Sequence, residues 1–195
     1  MLSALLSGIG LAAPAGLNAY IPLLVLALVD RFSTYVTLDA PYDVISSSWG
    51  IAVLLVLLSI ELVADKVPGV DHANDLLQTA IRPAAGAVLV MAESASADAV
   101  GINPVVALLL GLVTAGTVHG AKASVRPAIT VTTGGIGNPI ISMLEDVVAV
   151  VTSIVAILLP LLLIVILPLF AYGLWRIYQR LRRSGGRLRR LAGQA

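Results

Sequence analysis

The chain has 195 residues, of which 58% are apolar and only 12% are Asp, Glu, Lys or Arg. Soluble domains usually contain about 45–50% apolar and about 25% charged residues. This excess of apolar residues excludes a single soluble core, so we expect an all-α, polytopic transmembrane bundle in which most of the chain faces lipid. The chain has no Cys, which excludes disulfides, thiolate metal ligands and Cys nucleophiles.

The net charge of +1 hides an uneven distribution. The first 175 residues hold five basic and eleven acidic residues, whereas residues 176–195 hold seven Arg and no acidic residue. Basic residues that directly follow an apolar segment usually stay in the cytoplasm. The pattern predicts one transmembrane domain over 1–175 and a basic cytoplasmic tail over 176–195, suited to anionic lipid headgroups. The aromatic residues do not alternate with the Arg residues, which argues against nucleic-acid binding.

Five apolar stretches follow one another along the chain, and several have the wrong length for a straight crossing, which needs about 20 apolar residues. They cover residues 4–29, 49–64, 76–92, 104–118 and 147–175. Three of them are too short and the last is long. Broken or re-entrant helices are therefore predicted.

The number of crossings stays open on charge alone. Five crossings with the tail inside would place Arg31 inside and Lys66, Lys122 and Arg126 outside. A last stretch that enters and returns near Pro160 would reverse those sides, and the preference for basic residues inside favours it. A single kinked helix is the simpler alternative.

Pro and Gly interrupt the apolar stretches at three places. Residues 14–18, Pro-Ala-Gly-Leu-Asn, lie midway through the first stretch and would free backbone groups that lipid cannot satisfy. A second break is predicted at Arg82-Pro83, and a loop with the same theme at Arg126-Pro127. The similar sequences around these two sites suggest two related halves, 1–92 and 101–175, as in transporters with inverted repeats. Chance similarity between Ala-rich sequences is the alternative.

Two Asn-Pro pairs are typical of helix starts. Asn103 and Asn138 each precede a Pro, so each is predicted to be an N-cap with Pro in the first helical position. The glycines at residues 134–137 are predicted to form a flexible, re-entrant turn before Asn138.

Acidic residues dominate the sequence after the second stretch. Glu61 and Asp65 are four residues apart and share one face of a helix. Asp71 is predicted to cap the next helix, with Asp75 in its first turn. Asp71, Asp75, Gln78 and Arg82 would also form one continuous polar stripe, which cannot face lipid cheaply.

A basic stripe is predicted in the second half of the chain. His119, Lys122 and Arg126 share one face if the helix continues past Gly120. Such ionisable residues either form ion pairs that hold the helices together or mark a polar pathway inside the membrane. The candidate pathway residues are Asn18, Glu61, Asp65, Asp71, Asp75, Arg82, His119, Lys122, Arg126, Asn138, Glu145 and Asp146.

The motifs of metal sites and enzymes are missing from the sequence. No His-x-x-x-His or Glu-x-x-His pair is present, no Ser has the sequence of a nucleophile elbow, and the glycines near 134 lack the Lys-Ser/Thr of a phosphate loop. We therefore expect no metal, no cofactor and no enzymatic activity.

Three sequence segments together resemble an uncharacterised bacterial inner-membrane family, a domain of unknown function. They are Glu-Leu-Val-Ala-Asp-Lys-Val-Pro-Gly-Val-Asp-His at 61–72, Arg-Pro-Ala-Ala-Gly at 82–86 and Asn-Pro-Ile-Ile-Ser-Met-Leu-Glu-Asp at 138–146. The resemblance covers nearly the whole chain, although Asn18 stands where that family more often has Arg and Pro127 is untypical. It implies a multi-pass protein of the bacterial cytoplasmic membrane and no particular activity.

The leading functional hypothesis is a small transport protein, a channel or transporter, with a charged site inside the membrane. Glycines such as Gly111, Gly116 and Gly120 permit close helix packing, and a chain this small is expected to form a homo-oligomer. The alternative is a non-enzymatic accessory or lipid-binding protein. In it, a phosphate headgroup would be held by Arg82, Lys122 and Arg126. A lipid-modifying intramembrane enzyme is a weaker hypothesis, because no nucleophile–base pair is visible.

Overall fold

A computed structural model describes residues 2–65, 67, 70–95 and 102–162, and residues 165, 168–169, 172–173, 175–176 and 179; the side chains of residues 2 and 70–73 are not described. The chain divides into two compact units, Met1–Leu163 and Ile164–Ala195. In the second unit, the rings of Tyr172 and Trp175 lie 5.8 Å apart and the Arg176 guanidinium lies 5.6 Å from the Tyr172 ring centre. The residues from 180 onward, which include most of the predicted basic tail, lie outside the described part.

The described residues of the first unit form six α-helices and two short 3₁₀ helices, so the all-α fold class is confirmed. The α-helices are α1 (Leu2–Ala15), α2 (Tyr20–Phe32), α3 (Ser48–Ala64), α4 (Val70–Ala95), α5 (Pro104–Thr133) and α6 (Gly137–Leu158). The 3₁₀ helices cover Tyr42–Ser46 and Pro160–Leu162.

The first apolar stretch is broken where the sequence predicts, between Ala15 and Tyr20. The side-chain oxygen of Asn18 accepts hydrogen bonds from the backbone amides of Tyr20 and Ile21, at 3.1 and 3.2 Å, and so satisfies two free donors at the start of α2. Residues at the start of α1 and residues 34–37, which follow α2, line the same cavity. The two helices therefore run antiparallel, as a helical hairpin with its turn at residues 16–19.

The helices α4 and α5 form a long antiparallel pair. Their backbones approach closely where Gly86 faces Gly111. A Cβ atom at Gly111 would overlap the carbonyl oxygen of Gly86. The hairpin turn packs against the same α5 helix, where a Cβ atom at Gly16 would overlap the carbonyl oxygen of Ala115. The buried Ala12, Val90 and Ala107 fill the space between α1, α4 and α5.

Two predicted interruptions are wrong. Pro83 and Pro127 both lie inside continuous helices, α4 and α5. A proline within a long apolar helix is tolerated when neighbouring elements support the helix on both sides. Pro83 packs beside Gly116 of α5, where an added Cβ atom would lie at an ordinary contact distance of 3.7 Å from the ring.

The predicted helix starts had mixed outcomes. The Asn103 side chain accepts a hydrogen bond from the Val105 amide and caps α5, as expected. Asn138 is not a cap, because α6 already begins at Gly137 and the Asn138 side chain bonds to Thr130 instead. Asp71 is likewise not a cap, because α4 already includes Val70.

A tight turn joins α5 and α6, where Gly134 and Gly135 adopt positive φ angles of 63° and 88°. The left-handed region favours glycine at these positions. The last apolar stretch does not continue as one helix, because α6 ends at Leu158, two residues before Pro160.

Within the described residues, α5 and α6 are the helices long and apolar enough to cross a membrane, by length and composition. Only 22% and 28% of their most apolar stretches are buried inside the chain. The core helix of a soluble protein would be mostly buried, so this apolar surface is left for lipid or for other chains.

Candidate functional site

Four segments bring ionisable side chains into one largely buried group, which we call the charge cluster. It lies where the end of α3, the first half of α4, the middle of α5 and the first half of α6 meet the turn of the helical hairpin. The members of the charge cluster are Glu61, Asp65, Asp75, Arg82, His119, Lys122, Arg126 and Glu145.

Arg82 is the most deeply buried member of the charge cluster, with 0% of its surface exposed. Its Nη2 atom donates to Glu61 Oε1 at 2.9 Å. Its Nη1 atom donates to His119 Nδ1 at 3.0 Å and lies 3.5 Å from Asp75 Oδ1. Three helices are therefore joined at one guanidinium, whose rigid fork of donors suits several acceptors at once.

The contact with Arg82 determines the protonation state of His119. A guanidinium can only donate hydrogen bonds, so Nδ1 of His119 must be the acceptor and the ring must be neutral with its proton on Nε2. The Nε2 atom lies 3.1 Å from the Thr79 hydroxyl, which in turn donates to the backbone oxygen of Asp75 at 2.9 Å. Sequence reasoning missed Thr79, although its position four residues after Asp75 and three before Arg82 places it on the polar stripe of α4.

Lys122 ties α5 to the hairpin turn and to α6. Its ammonium donates to the backbone oxygen of Leu17 at 2.9 Å, lies 2.9 Å from Glu145 Oε2 and lies 3.3 Å from Asp65 Oδ2. The Leu17 carbonyl is one of the groups freed by the helix break. The ammonium therefore satisfies unwound backbone that lipid could not.

Arg126 extends the same stripe by one turn. Its Nη1 atom lies 3.0 Å from Asp75 Oδ2, and its Nη2 atom lies 3.2 Å from Asp65 Oδ2 and 3.6 Å from Glu145 Oε2. The predicted basic stripe of His119, Lys122 and Arg126 thus lies on one buried face of a continuous α5.

Asp65 is the centre of the charge cluster. Arg82, Lys122 and Arg126 all lie within 4.0 Å of its Oδ2 atom. Its Oδ1 atom accepts a hydrogen bond of 2.7 Å from the Asn74 side chain. Sequence reasoning missed Asn74, and nothing in the local pattern distinguishes it from a surface residue.

The hairpin turn also carries a direct contact with α6. Asn18 is 1% exposed, and its side-chain nitrogen donates to Asp146 Oδ1 at 3.1 Å. The one amide therefore caps α2 through its oxygen and binds a carboxylate through its nitrogen. Asn18 and Asp146 thus lie beside the charge cluster, at the turn.

Glu61 is paired on one side only. It is 1% exposed, Arg82 is its ion-pair partner, and among the described residues its Oε2 atom has no hydrogen-bond partner. The buried Gln78 Oε1 and Arg82 Nε atoms are unpaired in the same part of the chain. Tyr20, at the start of α2, hydrogen-bonds to Gln78 and is close enough to interact with Glu61. Buried polar groups of this kind usually bind water or a ligand.

Apolar side chains remain exposed along the helix axes on both sides of the charge cluster. On α5 and α6 they precede and follow the charged positions, which places the cluster inside an apolar outer surface. They include Val105, Leu109 and Val113 on one side and Val131, Ile136, Ile140 and Met143 on the other.

Of the two remaining candidate residues, Asn138 stands apart from the charge cluster. Asn138 is 4% exposed and bonds to Thr130, one turn beyond Arg126. The Asp71 side chain lies outside the described residues. In the described part of the chain, no group of three or more His, Asp or Glu side chains is arranged to hold a metal ion.

The described residues form an all-α fold with two helices that are long and apolar enough to span a membrane, and a buried network of charges lies between its helices. Comparison with protein families assigns the chain more closely. Over residues 5–180 it matches the family described as Domain of unknown function (DUF4126), and the chain belongs to that family. A search of curated proteins found no match, and a search of solved structures found none.

Proposed function

We propose that this protein is a small membrane transport protein, a channel or transporter, in which the charge cluster is the site that a polar or charged solute crosses. The observation that carries the proposal is the enclosure of the cluster by an apolar outer surface. Placing ionisable groups inside an apolar layer costs free energy, and such groups in a membrane protein usually lie on an ion or substrate pathway.

The helical hairpin supplies the discontinuous element that such a pathway needs. Helices α1 and α2 have 14 and 13 residues, or about 21 and 20 Å at 1.5 Å per residue, which is less than the hydrocarbon thickness of about 30 Å. We infer that the hairpin is re-entrant and places its turn at the charge cluster. The Leu17 carbonyl and the Asn18 side chain are then the hairpin's polar contacts with the pathway.

The charge balance of the cluster favours proton coupling. Its ion pairs join three cations to four carboxylates, so one added proton would make this described set neutral. Among the described residues, Glu61 lies within 4.0 Å of one cation, Arg82, and its Oε2 atom makes no hydrogen bond; the groups near it are Tyr20 on α2, Asp65, Arg82 on α4 and Lys122 on α5. We infer that Glu61 is the residue that takes up and releases the proton.

Two competing functions have less support. Binding of a lipid phosphate would require free cations, but Arg82, Lys122 and Arg126 each lie within 4.0 Å of at least two carboxylates. A purely structural ion-pair network would explain the pairing around Asp65. It would leave the unpaired atoms of Glu61 and Gln78 without a role.

Membrane location and assembly are part of the same proposal. The apolar composition and the Arg-rich tail support a multi-pass protein of the bacterial cytoplasmic membrane with a cytoplasmic C-terminus. A homo-oligomer is supported by the exposed apolar face of α3, which includes Trp49, Val53, Val56 and Ile60. Gly111 is already used inside the chain, against Gly86, and so is unsuited to an oligomer contact. The two-fold internal repeat stays a prediction.

Flux through liposomes tests the proposal. Purified protein would be reconstituted, and release of H⁺, Na⁺, K⁺ and Cl⁻ would be followed with ion-sensitive dyes. Asp75→Asn and Arg82→Gln should reduce the flux at least tenfold, whereas Asp43→Asn and Arg31→Gln, which change exposed charges of the same types outside the cluster, should leave it unchanged. Flux equal to wild type in both cluster variants would refute the proposed pathway.

Glu61→Gln separates coupling from permeation. Gln has the shape of a protonated Glu but cannot release a proton. If Glu61 carries the coupling proton, flux in this variant should persist and become independent of pH between 5.5 and 8.5 (a range of about three units, over which imidazole groups and buried carboxyl groups titrate). A pH dependence equal to that of the wild type would exclude Glu61 as the proton carrier.

A further inference from the structure

A second polar region lies at the other end of the first unit, away from the charge cluster. There the start of α1, the segment after α2, the end of α4 and the end of α6 surround a cavity of about 270 Å³. The side chain that distinguishes this cavity is Glu93, which is 4% exposed. Glu93 follows Arg82 by eleven residues on α4, or about 16 Å along the helix.

The polar side chains that line the cavity offer oxygen atoms alone. They are Glu93 and the hydroxyl groups of Ser3, Ser7, Thr34, Tyr35 and Thr37. Among the described residues that line the cavity, none is Lys, Arg or His. Hard cations prefer such sets of carboxylate and hydroxyl oxygens, whereas an anion would find no positive charge.

The side chains closest to the core are Ser7 and Glu93. Ser7 is 5% exposed, and its hydroxyl lies beside the Glu93 carboxylate and interacts with it. The next residue, Gly8, packs tightly on α4, since a Cβ atom there would lie 3.0 Å from Val90 Cα. The backbone that carries Ser7 is therefore held close to α4, on the cavity wall.

The geometry points to this cavity as a binding site for a monovalent cation, such as Na⁺ or K⁺, with Glu93 as its charged ligand and Ser7 as a hydroxyl ligand. One carboxylate neutralises one charge. A divalent ion would keep an uncompensated charge, and calcium sites usually have several carboxylates.

Tight packing separates this cation site from the charge cluster. Ala12, Val90 and Ala107 have 0% exposure and lie between the two regions. An ion bound at Glu93 therefore has no open route to Arg82 in this conformation. If the proposed transport function is correct, the site would hold a cation near one membrane surface, but binding itself does not require transport.

Cation binding can be measured without any flux assay. Full-length protein in detergent would be heated in 100 mM NaCl, KCl or LiCl, and in choline chloride as a control of equal ionic strength. With a Kd near 10 mM, NaCl or KCl should raise the Tm by about 3–6 °C over choline chloride. Glu93→Gln should abolish the increase, and the exposed Asp43→Asn should retain it.

Two further variants make the outcome decisive if Glu93→Gln does not fold. Thr37→Val removes one hydroxyl from the exposed rim and should weaken cation binding several-fold. Asp75→Asn should abolish flux and keep the cation-dependent Tm, so that failure of the transport proposal and failure of the cation site are told apart. Equal Tm in all four salts, or a Tm that responds to pH alone, would overturn the proposed site.

Discussion

Substitutions in the ion pair of Glu61 and Arg82 measure how far water is excluded from the charge cluster. Arg82 is 0% exposed and lies 2.9 Å from Glu61, which is 1% exposed. Arg82→Gln would leave Glu61 without an ion-pair partner among the described residues, because Arg82 is the cation within 4.0 Å of it. Removing one partner of a buried pair typically costs about 3–5 kcal/mol. For a chain of this size each kcal/mol shifts the Tm by about 2–4 °C.

The reverse substitution should be milder. Glu61→Gln leaves Arg82 with Asp75 at 3.5 Å, Asp65 at 3.7 Å and His119 at 3.0 Å. We therefore expect a loss of about 1–2 kcal/mol. The double variant removes both charges and should be more stable than Arg82→Gln alone, with a coupling energy of about 2 kcal/mol.

The assay is reversible unfolding of the reconstituted or detergent-solubilised protein, followed by circular dichroism for the wild type, both single variants and the double variant. Arg31→Gln is the matched control, because Arg31 is exposed and bonds only to the backbone of Ser46 and the hydroxyl of Ser48 in the described residues. It should change the unfolding free energy by less than about 0.5 kcal/mol. A loss below about 1 kcal/mol for Arg82→Gln would mean that water reaches Glu61 freely, and the argument for a dry cluster would be refuted.

Three further predictions concern the backbone contacts and the histidine. Gly16→Ala should destabilise the fold by about 1–3 kcal/mol in thermal unfolding, because the new Cβ atom would overlap the Ala115 carbonyl. The control Gly120→Ala, whose Cβ atom would have nothing within 4 Å, should be neutral or stabilising. Equal effects of the two substitutions would contradict the hairpin packing. Nitrogen NMR of labelled histidine, with a His72→Gln variant for assignment, should find His119 neutral with its proton on Nε2 near pH 7; a proton on Nδ1 would contradict the contact with Arg82. Asn18→Leu should lower both the Tm and the liposome flux, since it removes the cap of α2 and the contact with Asp146. Unchanged flux would exclude the hairpin turn from the pathway.

Local sequence patterns predicted the faces of the helices well. The spacing of His119, Lys122 and Arg126 fixes them on one side of a helix wherever that helix lies, and α5 has them on one buried face. The break before Asn18 follows from the chemistry of Pro and Gly in the same direct way. These features depend on neighbours within a few residues, so a single sequence contains the information.

Features that depend on contacts between helices were not predictable. Pro83 was expected to break α4, but α4 is continuous and the Pro83 ring packs beside Gly116 on α5, more than 30 residues away. Asn138 has the sequence of a cap, yet it bonds to Thr130 across the turn. The partners of Asp65 likewise follow from the crossing point of α4 and α5, which no local pattern reveals.

The pairing in the charge cluster differs between its two sides. Around Asp65, cations are shared with Asp75 and Glu145, so those contacts can hold α4, α5 and α6 together. On the other side, Glu61 Oε2 and Gln78 Oε1 are buried and make no hydrogen bond with the described residues, although half-satisfied networks are destabilising. This side faces Tyr20 at the start of α2. Because the turn of the same helical hairpin is bound to Lys122 and Asp146, Glu61 borders an element that is tied to the paired side of the cluster.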